Sequence, residues 1–262
     1  MKAHRNGMLA VAALWAGLAA GAMAGDVAST PAPKKDDGTF LKMHQAFMER
    51  AKKPVGLLFL GDSITHGWDG GGKKVWEESY AKYDAANFGI GGDRTEHVLW
   101  RIENGELDSI KPKVVVLMIG TNNTGSNTAE EIAAADRKIV AAIRAKLPEA
   151  KVLLLAVFPR GPHPAKAAPA GKKPAAKAPA APAAPDDSAK RMEKIKAVNA
   201  DLAKLDDGKT VRYLDIGPKF LGPDGKIPMD VMPDQLHPNE KGYRIWAEAM
   251  KPLLEEMMKE AK

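Results

Sequence analysis

The stretch that decides the fold runs Val55-Gly-Leu-Leu-Phe-Leu-Gly-Asp-Ser-Ile-Thr65. Its first six residues form a continuous apolar run that Gly61 stops. Such a run is too short for a globular helix and shows no polar alternation. It reads as a strand buried on both faces. Working outward, Phe40 to Ala51 places Phe40, Met43 and Phe47 at helical spacing. On the other side, Val75 to Tyr83 reads as a helix, Ala85 to Phe88 as a short strand, and Asp93 to Asn104 as a helix. Lys113 to Ile119 (KVVVLMI) is the clearest strand in the chain. Thr128 to Leu147 is a long helix opened by the capping-box pattern Thr128-x-x-Glu131. Lys151 to Phe158, residues 188 to 205, Val211 to Ile216 and Asn239 to Glu260 follow as strand, helix, strand and helix. Strands alternating with helices imply a parallel sheet covered on both faces, a three-layer α/β/α sandwich.

Composition sets the frame around that domain. The chain has 262 residues, 45% hydrophobic and 27% charged, enough for one domain with a substantial core. Its formal charge of +6 owes much to the N-terminus and to a lysine-bearing tract near residue 170. No helix carries a dense basic stripe, so nucleic acid is not an expected partner. The absence of cysteine rules out disulfides, a thiol nucleophile and a thiolate metal site.

The ends and interruptions of the domain read separately. Lys2 and Arg5 precede an uncharged apolar run from Met8 to Ala22, and Ala22-Met23-Ala24 offers a small-x-small cleavage site. Residues 1–24 are therefore expected to be a signal peptide, its apolar run too short for a membrane span, and the protein to be periplasmic or secreted. Residues 25–39 (GDVASTPAPKKDDGT) read as a flexible leader, and 40–262 as the folded domain. An Ala/Pro/Lys-rich tract (PHPAKAAPAGKKPAAKAPAAPAAPDD) interrupts it at 162–187. Proline at this spacing blocks helix and sheet, and alanine offers little surface to offset ordering entropy, so a disordered surface insertion is expected. Its four lysines suit loose contact with an anionic envelope polymer.

Chemistry-bearing residues gather at the ends of the predicted strands. Ser63 lies just past the first strand, at the carboxyl edge where α/β folds place their ligands. Near the other end comes Asp234-Gln-Leu-His-Pro238, in which an Asp three residues before a His can hold one ring nitrogen and leave the other for a serine proton. Pro238 suits the first turn of the closing helix. Asn87-Phe-Gly-Ile-Gly-Gly-Asp93 follows the second strand with glycines that allow close backbone approach. Gly120-Thr-Asn-Asn123 follows the third strand, where an amide side chain could donate to a developing oxyanion. Each block has a plain structural reading as turn or cap chemistry; together, at successive strand ends, they support one another. His66, Trp68 and His97 lack the carboxylate spacing of a metal site, so no metal and no cofactor is expected. Trp68 is a candidate for the cleft wall or for packing, while Trp76, Trp100 and Trp246 read as core. The glycine loop does not match a dinucleotide fingerprint.

The blocks GDSIT, NFGIGGDRT, GTNN and DQLHP resemble, in order and separation, those of the SGNH (GDSL-type) hydrolases. The stretch 87–128 is particularly similar to the catalytic subunits of intracellular platelet-activating-factor acetylhydrolases. The resemblance covers Phe40 to Glu260 apart from the Ala/Pro/Lys tract. It implies a flavodoxin-like sheet of strand order 2-1-3-4-5, with Ser63 as nucleophile and Asp234 and His237 completing a triad. It also implies an oxyanion hole from Ser63, Gly92 and Asn122. The long tract and the signal peptide depart from those relatives and argue against transferring their phospholipid substrate. The activity expected is that of a serine esterase acting on short-chain, acetyl esters through an acyl-enzyme, because the nucleophile sits on an open sheet edge. A small ester or O-acetylated carbohydrate is the expected substrate; the sequence leaves the oligomeric state open, with a homodimer as one option. Two alternatives remain: a lysophospholipase or thioesterase with the same triad, and a non-catalytic envelope-binding protein of the same fold.

Overall fold

The computed structural model describes residues 27–36, 38–162 and 187–261. The expected signal peptide and all but the ends of the Ala/Pro/Lys tract lie outside the described residues. Helix α1 (Thr39–Arg50) leads into β1 (Leu57–Gly61), a one-turn helix α2 (Ser63–His66), α3 (Lys73–Tyr80) and β2 (Ala85–Gly89). Next come α4 (Thr95–Glu103), β3 (Val114–Met118), α5 (Ala129–Lys146) and β4 (Lys151–Leu155). The series ends with α6 (Ser188–Leu202), β5 (Val211–Leu214) and α7 (Glu240–Glu260). All strand pairs are parallel, in the order β2-β1-β3-β4-β5 expected from the resemblance.

Alternation along the strands builds two cores. Leu58, Leu60, Val115, Leu117, Val152 and Leu154 face the layer of α1, α4, α5 and α6. Leu57, Phe59, Val114, Val116, Leu153 and Leu155 face α3 and α7. Both faces are dry along β1, β3 and most of β4, which is why those strands read as apolar runs, while the edge strands β2 and β5 are only partly buried. Each leucine so buried contributes about 1.5–3 kcal/mol of transfer free energy. On the α7 side Phe59, Trp68, Trp76, Tyr80, Tyr243 and Trp246 pack as one aromatic cluster with centroid separations of 4.5–6.3 Å. Trp68 is fully buried there, so it packs and does not line a cleft.

Register places the site. Gly61 at the end of β1 pairs with Gly89 of β2 and with Met118 of β3, so three strands finish at one level. The chain passes from β1 to β2 on one side and returns to β3 on the other. That reversal opens a crevice at the carboxyl ends. Gly89 must be glycine: a Cβ there would lie 2.2 Å from the amide nitrogen of His66.

Several boundaries differ from the sequence reading. The fourth and fifth strands stop at Leu155 and Leu214, although Ala156, Val157, Phe158 and Ile216 beyond them stay buried. Asn239, not Pro238, caps α7: its Oδ1 accepts from Gly242 N–H at 3.1 Å, and Pro238 sits one residue outside. The capping box of α5 forms as expected, with Glu131 N–H to Thr128 Oγ1 at 3.2 Å and Thr128 N–H to Glu131 Oε2 at 3.0 Å. The leader is not free over 27–36. Ala28 is fully buried, Thr95 Oγ1–H donates to its carbonyl at 2.9 Å, and Ala32 N–H donates to Glu96 O at 3.2 Å. Asp36 then accepts from Gly38 and Phe40 N–H at the start of α1. Backbone bonding to the first turn of α4 holds a segment that has almost no aliphatic side chains.

One core residue runs against its surroundings. Asp136 on α5 is fully buried, and neither carboxylate oxygen has a hydrogen-bond partner among the described residues. Burial pushes its carboxyl well above the ordinary range, against the nearby Arg137. The folded chain therefore binds a proton there that the unfolded chain releases above about pH 4. This contribution to stability is full in acid and is lost as pH rises toward the folded value. Asp136→Asn is expected to raise Tm at pH 8 by a few degrees, at about 2–4 °C per kcal/mol. The gain should shrink at pH 5; thermal unfolding of both proteins at the two pH values checks this.

Candidate active site

Ser63 opens α2 directly after β1. Asp62 caps that helix, its Oδ1 accepting from Ile64 N–H at 2.9 Å. Burial lifts the Asp62 carboxyl to about 6, although the Ile64 N–H and the nearby His237 pull the other way. Helix α7 braces the turn from behind. Tyr243 Oη–H donates to the Ile64 carbonyl at 2.7 Å, and a Cβ on Gly67 would lie 1.9 Å from the Tyr243 hydroxyl.

The segment before α7 brings the other two groups of the triad pattern. Asp234 Oδ1 accepts from Leu236 N–H at 3.0 Å and His237 N–H at 2.7 Å. Between them Gln235 has φ +63, a left-handed conformation that costs about 1–2 kcal/mol for a residue with a Cβ. Gly161 N–H to Gln235 O at 2.8 Å and Gln235 N–H to Met232 O at 2.9 Å hold it there. Desolvation works to raise the Asp234 carboxyl, but bonds from the His237 ring and the two backbone amides hold it below its ordinary value. An ionised carboxylate only accepts. His237 Nδ1–H therefore donates to Asp234 Oδ2 (2.6 Å), leaving Nε2 to accept the Ser63 Oγ–H (2.8 Å). Serine and histidine are 174 residues apart in sequence. Such a line of hydrogen bonds can move the serine proton to imidazole as the oxygen attacks a carbonyl.

The two loops beside Ser63 are tied to each other. Asn122 Nδ2–H donates to the Asp93 carbonyl at 2.8 Å, so the first asparagine spans from the β3 loop to the β2 loop. Its second amide hydrogen has no acceptor among the described residues. Asn123 lies beneath and is fully buried. Its Oδ1 accepts from Thr95 N–H at 3.1 Å, and its Nδ2 donates to Thr95 Oγ1 and Glu96 Oε2 at 3.0 Å each.

Sequence reasoning missed the group that anchors this edge. Arg101, fully buried on α4, pairs with Asp93 at 3.1 Å and Glu106 at 2.6 Å, and donates to Phe88 O and Gly61 O. A signal was present: an arginine falling on the apolar stripe of Val98, Leu99 and Ile102, with acids on both flanks. Burial lifts the Asp93 carboxyl to about 7, with Arg101 and Lys34 pulling it down. His97 accepts from Arg94 N–H at 3.0 Å, and burial with three nearby cations lowers its ring to about 4. Among the described residues, no three His, Asp or Glu side chains gather closely enough to hold a metal ion.

A strand-end serine hydrogen-bonded to histidine, on a five-stranded 2-1-3-4-5 sheet, defines an SGNH-type carboxylic ester hydrolase. The chain belongs to the GDSL-like Lipase/Acylhydrolase family, whose model matches residues 59–245. It is 36% identical over 242 residues to platelet-activating factor acetylhydrolase IB subunit alpha1 of Bos taurus, covering 88% of this chain and 91% of the bovine one. The alpha2 subunit of Rattus norvegicus is 38% identical over 225 residues, covering 85% of each. Among solved structures, a GDSL-like lipase of Bacteroides thetaiotaomicron superposes with a TM-score of 0.61 at 19% identity, over 81% of this chain and 97% of its own. Est24, a carbohydrate acetylesterase of Sinorhizobium meliloti, gives 0.54 at 19% identity, over 78% of this chain and 100% of its own.

Asn123→Ala would strand the Thr95 amide and take one donor from the buried Glu96 carboxylate. It is expected to cost about 1–3 kcal/mol of stability per stranded group. Asn122→Ala, which loses one half-exposed bond, should stay within about 1 kcal/mol of wild type. Urea unfolding of the two variants separates the supporting asparagine from the exposed one.

Proposed function

We propose that the protein hydrolyses acetyl and other short-chain esters in two acyl-transfer steps, with Ser63 as nucleophile, His237 as general base and acid, and Asp234 orienting the imidazole. The observation that carries this reading is the unbroken hydrogen-bond line from Ser63 Oγ through His237 to Asp234, at 2.8 and 2.6 Å. His237 takes the Ser63 proton as Oγ attacks the carbonyl carbon, and returns it to the departing alcohol oxygen. Water then attacks the acyl-enzyme, giving its proton to His237, which passes it to Ser63 as the carboxylic acid leaves. Negative charge on the tetrahedral oxygen falls to the N–H groups of Ser63 and Gly92 and the amide of Asn122. Ser63 N–H is a first-turn donor of α2, with no acceptor inside the helix. Asn122 keeps one amide hydrogen spare.

Short acyl groups are supported by Ile64 and Leu236, the neighbours of nucleophile and base. Both are packed in the core and not offered to a long chain. The names of the acetylhydrolase and carbohydrate acetylesterase relatives point the same way. With the signal-peptide pattern of residues 1–24, an O-acetylated carbohydrate outside the cytoplasm is our first substrate class. The family description, which says lipase as well as acylhydrolase, supports a second reading as a lysophospholipase or thioesterase.

On a panel of soluble esters, kcat/KM is expected to fall steadily as the acyl chain grows beyond acetyl. A rise toward long chains would select the second reading. Ser63→Ala should fold normally and retain at most about 10³–10⁴-fold acceleration over water. Asn122→Ala should lower turnover about 10²–10³-fold, as expected for one oxyanion donor.

A further inference from the structure

The leader reaches the oxyanion loop through one side chain. Lys34 Nζ–H donates to the carbonyl of Gly91, and the same ammonium lies 4.0 Å from Asp93 Oδ1. Lys34 lies so close to the loop that a Cβ on Gly92 would be 3.2 Å from its Nζ. Ile90 to Asp93 form a β-turn, with Asp93 N–H donating to Ile90 O at 3.1 Å and Gly92 at φ +74. A positive φ at the third residue makes the turn type II. Types I and II differ by a flip of the central peptide, here the one joining Gly91 to Gly92. Glycine at both central positions leaves neither orientation sterically excluded. Something else must choose.

We propose that Lys34 is a positioning residue for the oxyanion site, clamping the Gly91 carbonyl so that the Gly92 N–H of the same peptide stays aimed at the reacting oxygen. The inference rests on the catalytic reading above. In a planar trans peptide the carbonyl and the N–H point in opposite directions, so holding one fixes the other. The Gly92 N–H has no acceptor within the described residues, as a donor kept for substrate requires. Its exit residue Asp93 is held by Asn122 and Arg101, which leaves the Gly91–Gly92 peptide as the element able to turn. The leader is delivered by bonds remote from the loop: Thr95 to Ala28, Ala32 to Glu96, and Lys138 Nζ–H to Ser29 O at 2.9 Å.

The test uses the full chain and a soluble acetyl ester. Lys34→Met keeps an unbranched side chain one atom shorter and removes the donor. It is expected to lower kcat about 10–100-fold, less than outright loss of an oxyanion donor. KM should stay within about twofold and Tm within a few degrees, since the contact acts on a half-exposed loop and not on the core. Phosphonylation of Ser63 by a fluorophosphonate should slow in parallel, and Lys34→Arg should recover most of kcat. Lys138→Met, which loosens the leader without touching the turn, should remain near wild type. A Lys34→Met kcat within twofold of wild type would overturn the clamp. So would an equal loss in Lys138→Met, which would make leader docking as a whole the cause. Loss of the thermal transition in Lys34→Met would also overturn it, because a peptide-aiming contact does not hold the domain together. Full turnover by Ser63→Ala would instead overturn the catalytic reading; an inactive Ser63→Ala beside an unchanged Lys34→Met sinks the clamp alone.

Discussion

The carboxyl edge of the sheet depends on the guanidinium of Arg101. It is fully buried, yet it reaches the ends of two strands, Gly61 O and Phe88 O, and the carboxylates of Asp93 and Glu106. A buried cation of this kind is held by its partners as much as it holds them. Removing one member of such a set leaves an uncompensated charge, at about 3–5 kcal/mol. A planar fork with five donors can serve four acceptors at once, which a lysine at the same place could not do. The loop after β2 and the turn after β1 therefore share one anchor, and their spacing does not depend on surface contacts.

A second constraint acts from the opposite layer. The aromatic cluster of Phe59, Trp68, Tyr243 and Trp246 seats α7 against β1 and α2, and Tyr243 extends it by one hydrogen bond to the residue after Ser63. Ser63 and His237 thus meet because two helical layers close on the same strand end. The strain at Gln235 fits this arrangement. A left-handed residue between Asp234 and His237 lets one carboxylate bond both the backbone and the ring of the histidine. Backbone strain of this order persists only where the surroundings over-determine it.

The order of strands and helices was legible because hydrophobic pattern is a local property. Val55 to Leu60 and Lys113 to Ile119 could hardly be anything but buried strands, and Thr128-x-x-Glu131 announced its helix. The pattern of Ser63, Asp234 and His237 was legible because the serine follows a strand end and Asp-x-x-His is a short local motif just before the closing helix. What escaped was held by groups distant in sequence. Residues 27–36 looked unstructured because their own side chains bury little, yet the polar groups of Thr95 and Glu96 tie them down. Asn122 and Asn123 are neighbours of one type, and only the tertiary fold divides them into an exposed amide and a buried one. Pro238 looked like a first helical residue, but the Asn239 side chain closed the α7 cap one position later. Arg101 stood in plain sight on an apolar stripe between acids; two of its four acceptors are backbone carbonyls, which carry no sequence signature.

The distance along the chain between Ser63 and His237 has a consequence for how the molecule comes into being. Ser63 leaves the ribosome 174 residues ahead of His237, its hydrogen-bond partner, and ahead of α7, which braces its turn. Throughout that interval the hydroxyl lacks the imidazole that accepts from it in the finished fold. The pair is completed only with the last layer. On the proposed acyl-transfer reading, a chain that stops short of His237 would be chemically silent toward esters, and the finished fold would act as its own licence to react.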